Sequence, residues 1–519
     1  MKAYLKVYSE ERLGEVNPYI YGQYFEHLGN CIYPSVWDDQ SPHADESGVR
    51  LDVIETVREL GVPVIRWPGG CYVDLYNWRD GIGPKEARPT RVNWHWGGLE
   101  SNHFGTDEFL QWCEKAGTEP YVNVNLGTGT LVESLRWMDY CNGAGETADA
   151  QWRKSNGHAE PYNVKLWGIG NETWGFWEAG QLSAREYAHK LANWAQFYKK
   201  YDASLQLLGV GSHYGNDPEW DSQVVVQAGK YLDYLTFHLY GSSVDRESGN
   251  EYYPVVFTPV FFEKQLRRMI DTIRTTIVNH KLQLPQQIRI SMDEWNIRHY
   301  EPDPENIGHY RLNRNSPRNL QDALFVAGVF NAMIRLSPSV GMANYVFLIN
   351  GNGVISVTED VVIKTTLFYV FKQYAEWMTG QSVRVNVSSP SIRIPAPQIN
   401  GPDMNEKIQA IHEPSDEAYV DAVAVLREDG DLNIAVVNRH QEEKADVELE
   451  LPEGYRLATV WTLTHEDIYA ANTVDVIGNV VPVLTAVDDQ ELRTWKVPAH
   501  TVVLLQCRKT SIEAEAFQG

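Results

Sequence analysis

Cysteine is scarce and poorly placed for structural use. Only Cys31, Cys71, Cys113, Cys141 and Cys507 occur in 519 residues. They are scattered, odd in number and without CxxC or zinc-finger spacing, which argues against a disulfide framework or a structural zinc site. Long apolar runs are also missing. The start, MKAYLKVYSEERLGEV, has no hydrophobic leader core, and no stretch of 18 uncharged apolar residues follows. Neither a secretory leader nor a membrane span is expected, and the chain reads as soluble and cytoplasmic. Positive charge is in deficit: 45 Lys and Arg against 69 Asp and Glu leave a net charge of -24. Such a surface repels phosphate backbones and anionic membranes, so nucleic-acid and membrane partners are disfavoured and a neutral substrate fits.

Several chemical signatures are absent as well. No GxSxG elbow occurs. The segment Gly209–Gly215 follows an apolar run, but its third glycine is misplaced for a dinucleotide loop. His27, His95, His103, His213, His238 and His299 show no HExxH or paired ligand spacing, so they read as hydrogen-bonded residues and no metal or cofactor is expected. There are no repeats and no low-complexity tract.

What is present is a regular alternation. Apolar, strand-like segments occur at Tyr19–Phe25, Val62–Trp67, Pro120–Leu126, Val164–Ile169, Leu205–Gly211, Tyr234–Leu239, Gln287–Met292 and Met342–Ile349. Amphipathic helical stretches such as Val49–Leu60, Thr106–Ala116, Ala184–Tyr201, Phe261–Asn279 and Asn319–Leu336 lie between them. Eight such units predict a closed (β/α)8 TIM barrel over residues 19–379, with a doubly wound open sheet as the alternative. From Gly380 onward the runs are short and alternating, punctuated by Gly, Pro, Asn and Asp, which predicts an antiparallel β-sandwich over residues 380–519. Residues 1–18 carry a strand, Ala3–Val7, that alternates in the same way and is expected to join that sandwich. Ile512–Gly519 reads as a frayed tail.

Polar residues gather where these segments end, the place where barrel enzymes keep their chemistry. Glu26 and His27 follow the first segment; the loop Arg66–Asp74 follows the second. Asn125 follows the third, Asn171 and Glu172 the fourth, and Ser212 and His213 the fifth. His238 and Tyr240 end the sixth, and Asp293 and Glu294 the seventh. Two stretches stand out: Gly168–Gly175 (GIGNETWG) and Ser291–His299 (SMDEWNIRH). Each sets one glutamate directly after an apolar run. A glycosidase needs such a pair, one as proton donor to the leaving oxygen and the other as nucleophile or base on the opposite face of the sugar. Asn171 is placed to bond a sugar 2-hydroxyl. The 17 tryptophans and 28 tyrosines are mostly core, with some suited to stacking on sugar rings. A barrel that only bound carbohydrate would need neither glutamate.

The strings YGQYFEHLGNCIY (Tyr21–Tyr33), RWPGGCYVDLYNWRDGIGP (Arg66–Pro84), HWGGLESNHFGTDEF (His95–Phe109), LWGIGNETWG and MDEWN (Met292–Asn296) occur in order. They resemble the α-L-arabinofuranosidases of glycoside hydrolase family 51 over essentially the whole chain. The resemblance implies a barrel with a β-sandwich, no metal and a retaining mechanism on plant cell-wall polysaccharide. It makes Glu172 the acid/base and Glu294 the nucleophile. Glu26, Cys71, Asn171 and Tyr240 would hold the sugar, with Trp96 and Trp174 lining the site; His238 joins this substrate-binding set. It also implies a homo-oligomer, hexamers being common. Two departures bear on specificity. Asn296–His299 lacks the family's second aromatic, leaving Arg298 there, and Asn352 or Gly353 stands near the place of a sugar-binding glutamine. The lost amide predicts a site widened along Asn350–Gly353 and the lost aromatic weaker stacking on the leaving-group side, with endo-β-1,4-glucanase or xylanase activity as the alternative. Two further expectations follow: carboxyl groups about 5–5.5 Å apart, and a raised pKa for Glu172.

Overall fold

Eight parallel strands follow one another round a closed ring in chain order. In the computed structural model they are β2 (Gly22–Tyr24), β3 (Val64–Trp67), β4 (Glu119–Val124), β5 (Leu166–Ile169), β6 (Gln206–Gly209), β7 (Tyr234–Ser243), β8 (Arg289–Pro302) and β9 (Val340–Tyr345). Pairing of β9 with both β8 and β2 completes the ring. The structure describes residues 1–215, 217–243, 252–306, 310–394, 415–487 and 494–509; the expected frayed tail, Ile512–Gly519, lies outside them.

Helices cover the outside of the ring because each presents one apolar face to it. Their ends follow local chemistry. α1 (Leu51–Leu60) stops at Gly61, whose φ of 72° suits a residue without Cβ and whose N–H bonds the carbonyls of Val57 and Arg58. Capping boxes start α2 (Ala184–Tyr201) at Ser183 and Glu186, and α3 (Leu320–Arg335) at Asn319 and Asp322. Inside the barrel, Val64, Tyr121, Leu166, Leu208, Tyr234 and Met342 fill the end opposite the glutamates.

The second sheet contains β1 (Lys2–Val16), β10 (Gly380–Ser388), β11 (Val420–Leu426), β12 (Leu432–Asn438), β13 (Ala445–Glu450), β14 (Tyr455–Leu463), β15 (Val483–Ala486), β16 (Thr494–Val497) and β17 (Thr501–Lys509). Its order is β15-β14-β17-β12-β11-β10-β1-β13-β16. One pairing departs from a wholly antiparallel sheet: β1 runs antiparallel to β10 but parallel to β13. A first strand from the opposite end of the chain has no hairpin to dictate its direction. Strand alternation puts Ala422, Ala424, Ile434 and Leu505 into this domain's own core, and Val423, Val425, Ala435 and Leu504 against the barrel. Both faces are therefore apolar in the strands that touch the barrel. Arg335 crosses the junction, bonding Glu263 and Asp421 at 2.9 Å each.

Candidate active site

The two glutamates reach one another through a histidine. β5 ends at Ile169, and the chain turns sharply through Gly170 (φ 95°) and Glu172 itself (φ 37°), a left-handed conformation strained for a side-chain-bearing residue. Across the mouth, β8 contains a register shift: Thr236 faces Ser291, but His238 faces Glu294. The extra residue is a β-bulge. Strict alternation would point only one of Asp293 and Glu294 inward; with the bulge both serve the site. Asp293 accepts from Tyr121 Oη at 2.9 Å, and Glu294 accepts from Arg66 Nη1 at 2.7 Å and Tyr240 Oη at 2.6 Å.

His238 stands between the carboxylates. Its Nδ1 lies 2.7 Å from Glu172 Oε1 and 3.5 Å from Glu294 Oε2, and its Nε2 lies 3.2 Å from Asp293 Oδ1. One oxygen of each glutamate and a histidine nitrogen all fall within 4.8 Å of one another. Burial works against the charged imidazolium, yet the charges of Glu294, Asp293 and Glu172 outweigh it and push His238 up to about 10. The same contact corrects the expectation for Glu172. Burial would raise it, but the hydrogen bond and charge of His238, with Trp177 Nε1 donating at 3.1 Å, hold it below the usual carboxylate range. In the free site the proton resides on the histidine.

Most of the expected site residues converge here. Asn171 Oδ1 accepts from Arg66 Nη2 at 2.8 Å while its Nδ2 donates to Glu178 at 3.1 Å, so its amide is held from both ends. Glu26 accepts from the backbone N–H groups of Gly70 and Tyr72 at 3.1 and 3.2 Å. A Cβ on Gly70 would lie 2.6 Å from Glu294 Oε1, so only glycine lets this loop come so near. Cys71 lies on the same loop, half-buried. Trp96 is at the rim, 37% exposed, with the Arg314 guanidinium 5.5 Å from its ring. Trp174 is half-buried: its indole donates to Gly211 O at 3.0 Å, and its ring stacks on His213 at 4.2 Å and meets Trp177 edge-on at 5.5 Å.

Burial and the Glu294 charge push Glu26 up to about 7. A buried acid raised in this way keeps a proton that the unfolded chain releases. Its contribution to stability is therefore full below the ordinary glutamate pKa and falls as pH rises toward 7. In Glu26→Gln that slope disappears. Urea unfolding at pH 5 and pH 7.5 should show the variant gaining on the parent as pH rises; a difference independent of pH would contradict the assignment.

Sequence reasoning passed over Trp177, Glu178 and the pairing of Asp74 with Glu178. Burial and nearby carboxylates push Asp74 up to about 8 and Glu178 to about 10. The signal available was the run GFWEAG after the glutamate motif, but nothing in it shows which side chains turn back. The amides of Asn350–Gly353 are turned to neighbouring loops. Asn350 donates to Asn30 O and Ser35 Oγ, and Asn352 donates to Ser316. Both asparagines are buried and used to hold loops. β9 ends at Tyr345, so Phe347 follows at the mouth, its ring 5.5 Å from that of Tyr24. Arg298 places its guanidinium 3.7 Å from the centre of the Tyr240 ring, covering a residue of the site.

A (β/α)8 barrel with paired glutamates at its C-terminal mouth defines a glycoside hydrolase. Comparisons with known proteins give the family. The domain described as "Alpha-L-arabinofuranosidase 1 domain" matches residues 56–255, and the "Alpha-L-arabinofuranosidase C-terminal domain" matches residues 293–501. A probable α-L-arabinofuranosidase C of Aspergillus fumigatus is 35% identical over 516 residues, covering 97% of this chain and 96% of its own. An intracellular exo-α-(1→5)-L-arabinofuranosidase of Bacillus subtilis is 30% identical over 491 residues, 93% of each chain. The arabinose complex of the Thermotoga maritima α-L-arabinofuranosidase superposes with a TM-score of 0.83 at 34% identity, covering 97% of this chain and 99% of that one. The chain belongs to the α-L-arabinofuranosidases of glycoside hydrolase family 51.

Proposed function

We propose that this chain releases terminal α-L-arabinofuranosyl residues from plant cell-wall oligosaccharides by double displacement, with Glu294 as nucleophile and Glu172 as acid/base. The observation that carries the reading is the closeness of the two carboxylates, oxygen within 4.8 Å of oxygen across His238. Inverting enzymes separate theirs by about 6.5–9.5 Å to admit a water. Glu294 is oriented by two donors, Arg66 and Tyr240, which leave it no rotational freedom.

The position of the proton fits this order of events. Attack by Glu294 turns its carboxylate into a neutral ester, removing the foremost of the charges that hold the proton on His238. The proton passes across the 2.7 Å hydrogen bond to Glu172 and on to the departing oxygen. Glu172, again ionised, then takes a proton from the water that opens the ester. Glu26, Cys71, Asn171, His238 and Tyr240 surround the sugar, and Trp96 flanks it at the rim. Asn171, held by Arg66 and Glu178, faces the 2-hydroxyl. Phe176 and Trp177, 74% and 36% exposed, offer apolar faces to the leaving group.

Among the described residues no helix is long and apolar enough to cross a membrane, and the five cysteines are free thiols. The free thiols support a cytoplasmic location. The exposed apolar residues Val474, Val476, Ile477, Val483 and Leu484 support a homo-oligomer, with a hexamer as the expected state. Light scattering on the eluted protein reads that state directly, and a monomer would overturn it.

The activity is tested on arabinan, arabinoxylan, unsubstituted xylan and a soluble cellulose derivative. Free arabinose of retained configuration by NMR is expected from the first two. Inverted product, or cleavage of the backbones alone, would overturn the reading.

A further inference from the structure

The geometry points to a second site on this chain, one for a divalent transition metal of the zinc class, formed by Cys71 Sγ, His95 Nε2 and Glu178 Oε2 beside the sugar pocket. The three donor atoms lie within 4.8 Å of one another, and His95 Nε2 and Glu178 Oε2 are 4.0 Å apart. Around one tetrahedral zinc ion a thiolate sulfur and nitrogen or oxygen donors stand about 3.3–3.6 Å apart. The set therefore has to close by roughly 1 Å, a movement that one loop side chain, His95, can supply.

Two further observations single out this cluster. Glu178 is 5% exposed and His95 lies with little of its ring in solvent, yet His95 Nε2 has no hydrogen-bond partner. A buried polar atom is costly to leave unpaired, and an ion at this place satisfies it. Glu178 is also fixed in place, because its other oxygen accepts from Asn171 Nδ2 at 3.1 Å. The donor chemistry is selective: thiolate, imidazole and carboxylate together suit a borderline-soft ion, where magnesium and calcium prefer oxygen alone. An entry path exists, since His95 lines a cleft of about 520 Å³ together with Asn77, Asp80, Trp94 and Asn102. On coordination the thiol and any carboxyl proton pass to solvent, and the fourth position is left to water.

Occupancy has a consequence for the reaction. Cys71 is on the loop that binds Glu26, and Glu178 holds Asn171, the neighbour of Glu172. A metal drawing Cys71 and Glu178 together takes the thiol from the sugar and shifts the Asn171 amide, so the ion acts as an inhibitor. This consequence rests on the proposed sugar-binding roles; metal binding itself does not.

The test uses the full chain, stripped of metal by a chelator and titrated with Zn²⁺ against a chromogenic competitor. One equivalent per chain is expected. Co²⁺ in its place should give a tetrahedral visible spectrum with a sulfur-to-cobalt charge-transfer band. Cys71→Ser should lose that band, and His95→Ala should weaken Zn²⁺ binding by more than about tenfold, with both variants folded by circular dichroism. Saturating Zn²⁺ should slow arabinofuranoside hydrolysis by the parent, while His95→Ala keeps its basal rate under the same Zn²⁺. Absence of stoichiometric binding, or one equivalent bound equally by both variants, would overturn the site. Binding at this site without any slowing would leave the site standing and overturn the placement of Cys71 and Asn171 against the sugar. A parent inactive on every arabinofuranoside would sink the proposed function and leave the Co²⁺ and Zn²⁺ readouts unaffected.

Discussion

Glu294→Ala should show no measurable turnover on any glycoside, whatever its leaving group. Removing the attacking carboxylate ends the covalent route, and losses on the order of 10⁴–10⁶ in kcat are seen when such a group is deleted. Glu172→Ala should behave differently. General acid catalysis contributes about 10²–10⁴-fold, and that share is needed only where the leaving oxygen is basic. The variant should therefore lose far more rate on arabino-oligosaccharides than on an activated aryl arabinofuranoside. The second step lacks its base, so azide, which needs none, should restore turnover and give the glycosyl azide. Equal losses on both leaving groups would reverse the roles assigned to the two glutamates.

Arg66→Met should be among the most destabilising single substitutions in the chain. Arg66 is 1% exposed and holds together the centre of the mouth: Glu294 at 2.7 Å, Asp293 at 3.5 Å and Asn171 at 2.8 Å. A methionine fills the volume but leaves two buried carboxylates with His238 as their nearest cation. Breaking a buried pair in this way costs about 3–5 kcal/mol. The pH dependence of this deficit comes from Asp293. Burial raises its pKa, but Arg66 and His238 together hold it below its ordinary value. Its stabilising contribution is present above that value and lost as pH falls through the depressed one. Without Arg66 the carboxyl titrates higher, so acid neutralises it. Chemical denaturation should show the deficit of the variant large at pH 7.5 and smaller at pH 5.5. A deficit unchanged with pH would mean that shape, not charge, is what Arg66 supplies.

Much of the barrel was legible because its signals are local. Val62–Trp67 reads as a strand from its apolar run, and β3 occupies Val64–Trp67. Tyr234–Leu239 marks the start of β7 to the residue, but the strand continues to Ser243. The polar mouth of β7 pairs with β8 as far as Ser243 and His299, and hydrogen bonding between strands carries no hydropathy signature. Where Asn350–Gly353 lies was illegible for a related reason. Distance along the chain from the last apolar residue does not say where a strand leaves the barrel, and β9 leaves it at Tyr345.

The sequence by itself determined the class of fold, through eight apolar runs alternating with amphipathic helices, and the two glutamates, each following one of those runs. Both features depend on neighbours a few residues away, which is the range over which side-chain periodicity and backbone preference act. Only the tertiary structure decided how these residues work together. The bulge in β8 turned Asp293 and Glu294 inward as a pair. His238 then came to lie between three carboxylates and took the proton expected on Glu172. Cys71, His95 and Glu178, from separate loops, came within reach of one ion. Each of these rests on register and on charges brought together from distant segments, and Coulomb interactions in a buried site depend on distance in space, not along the chain.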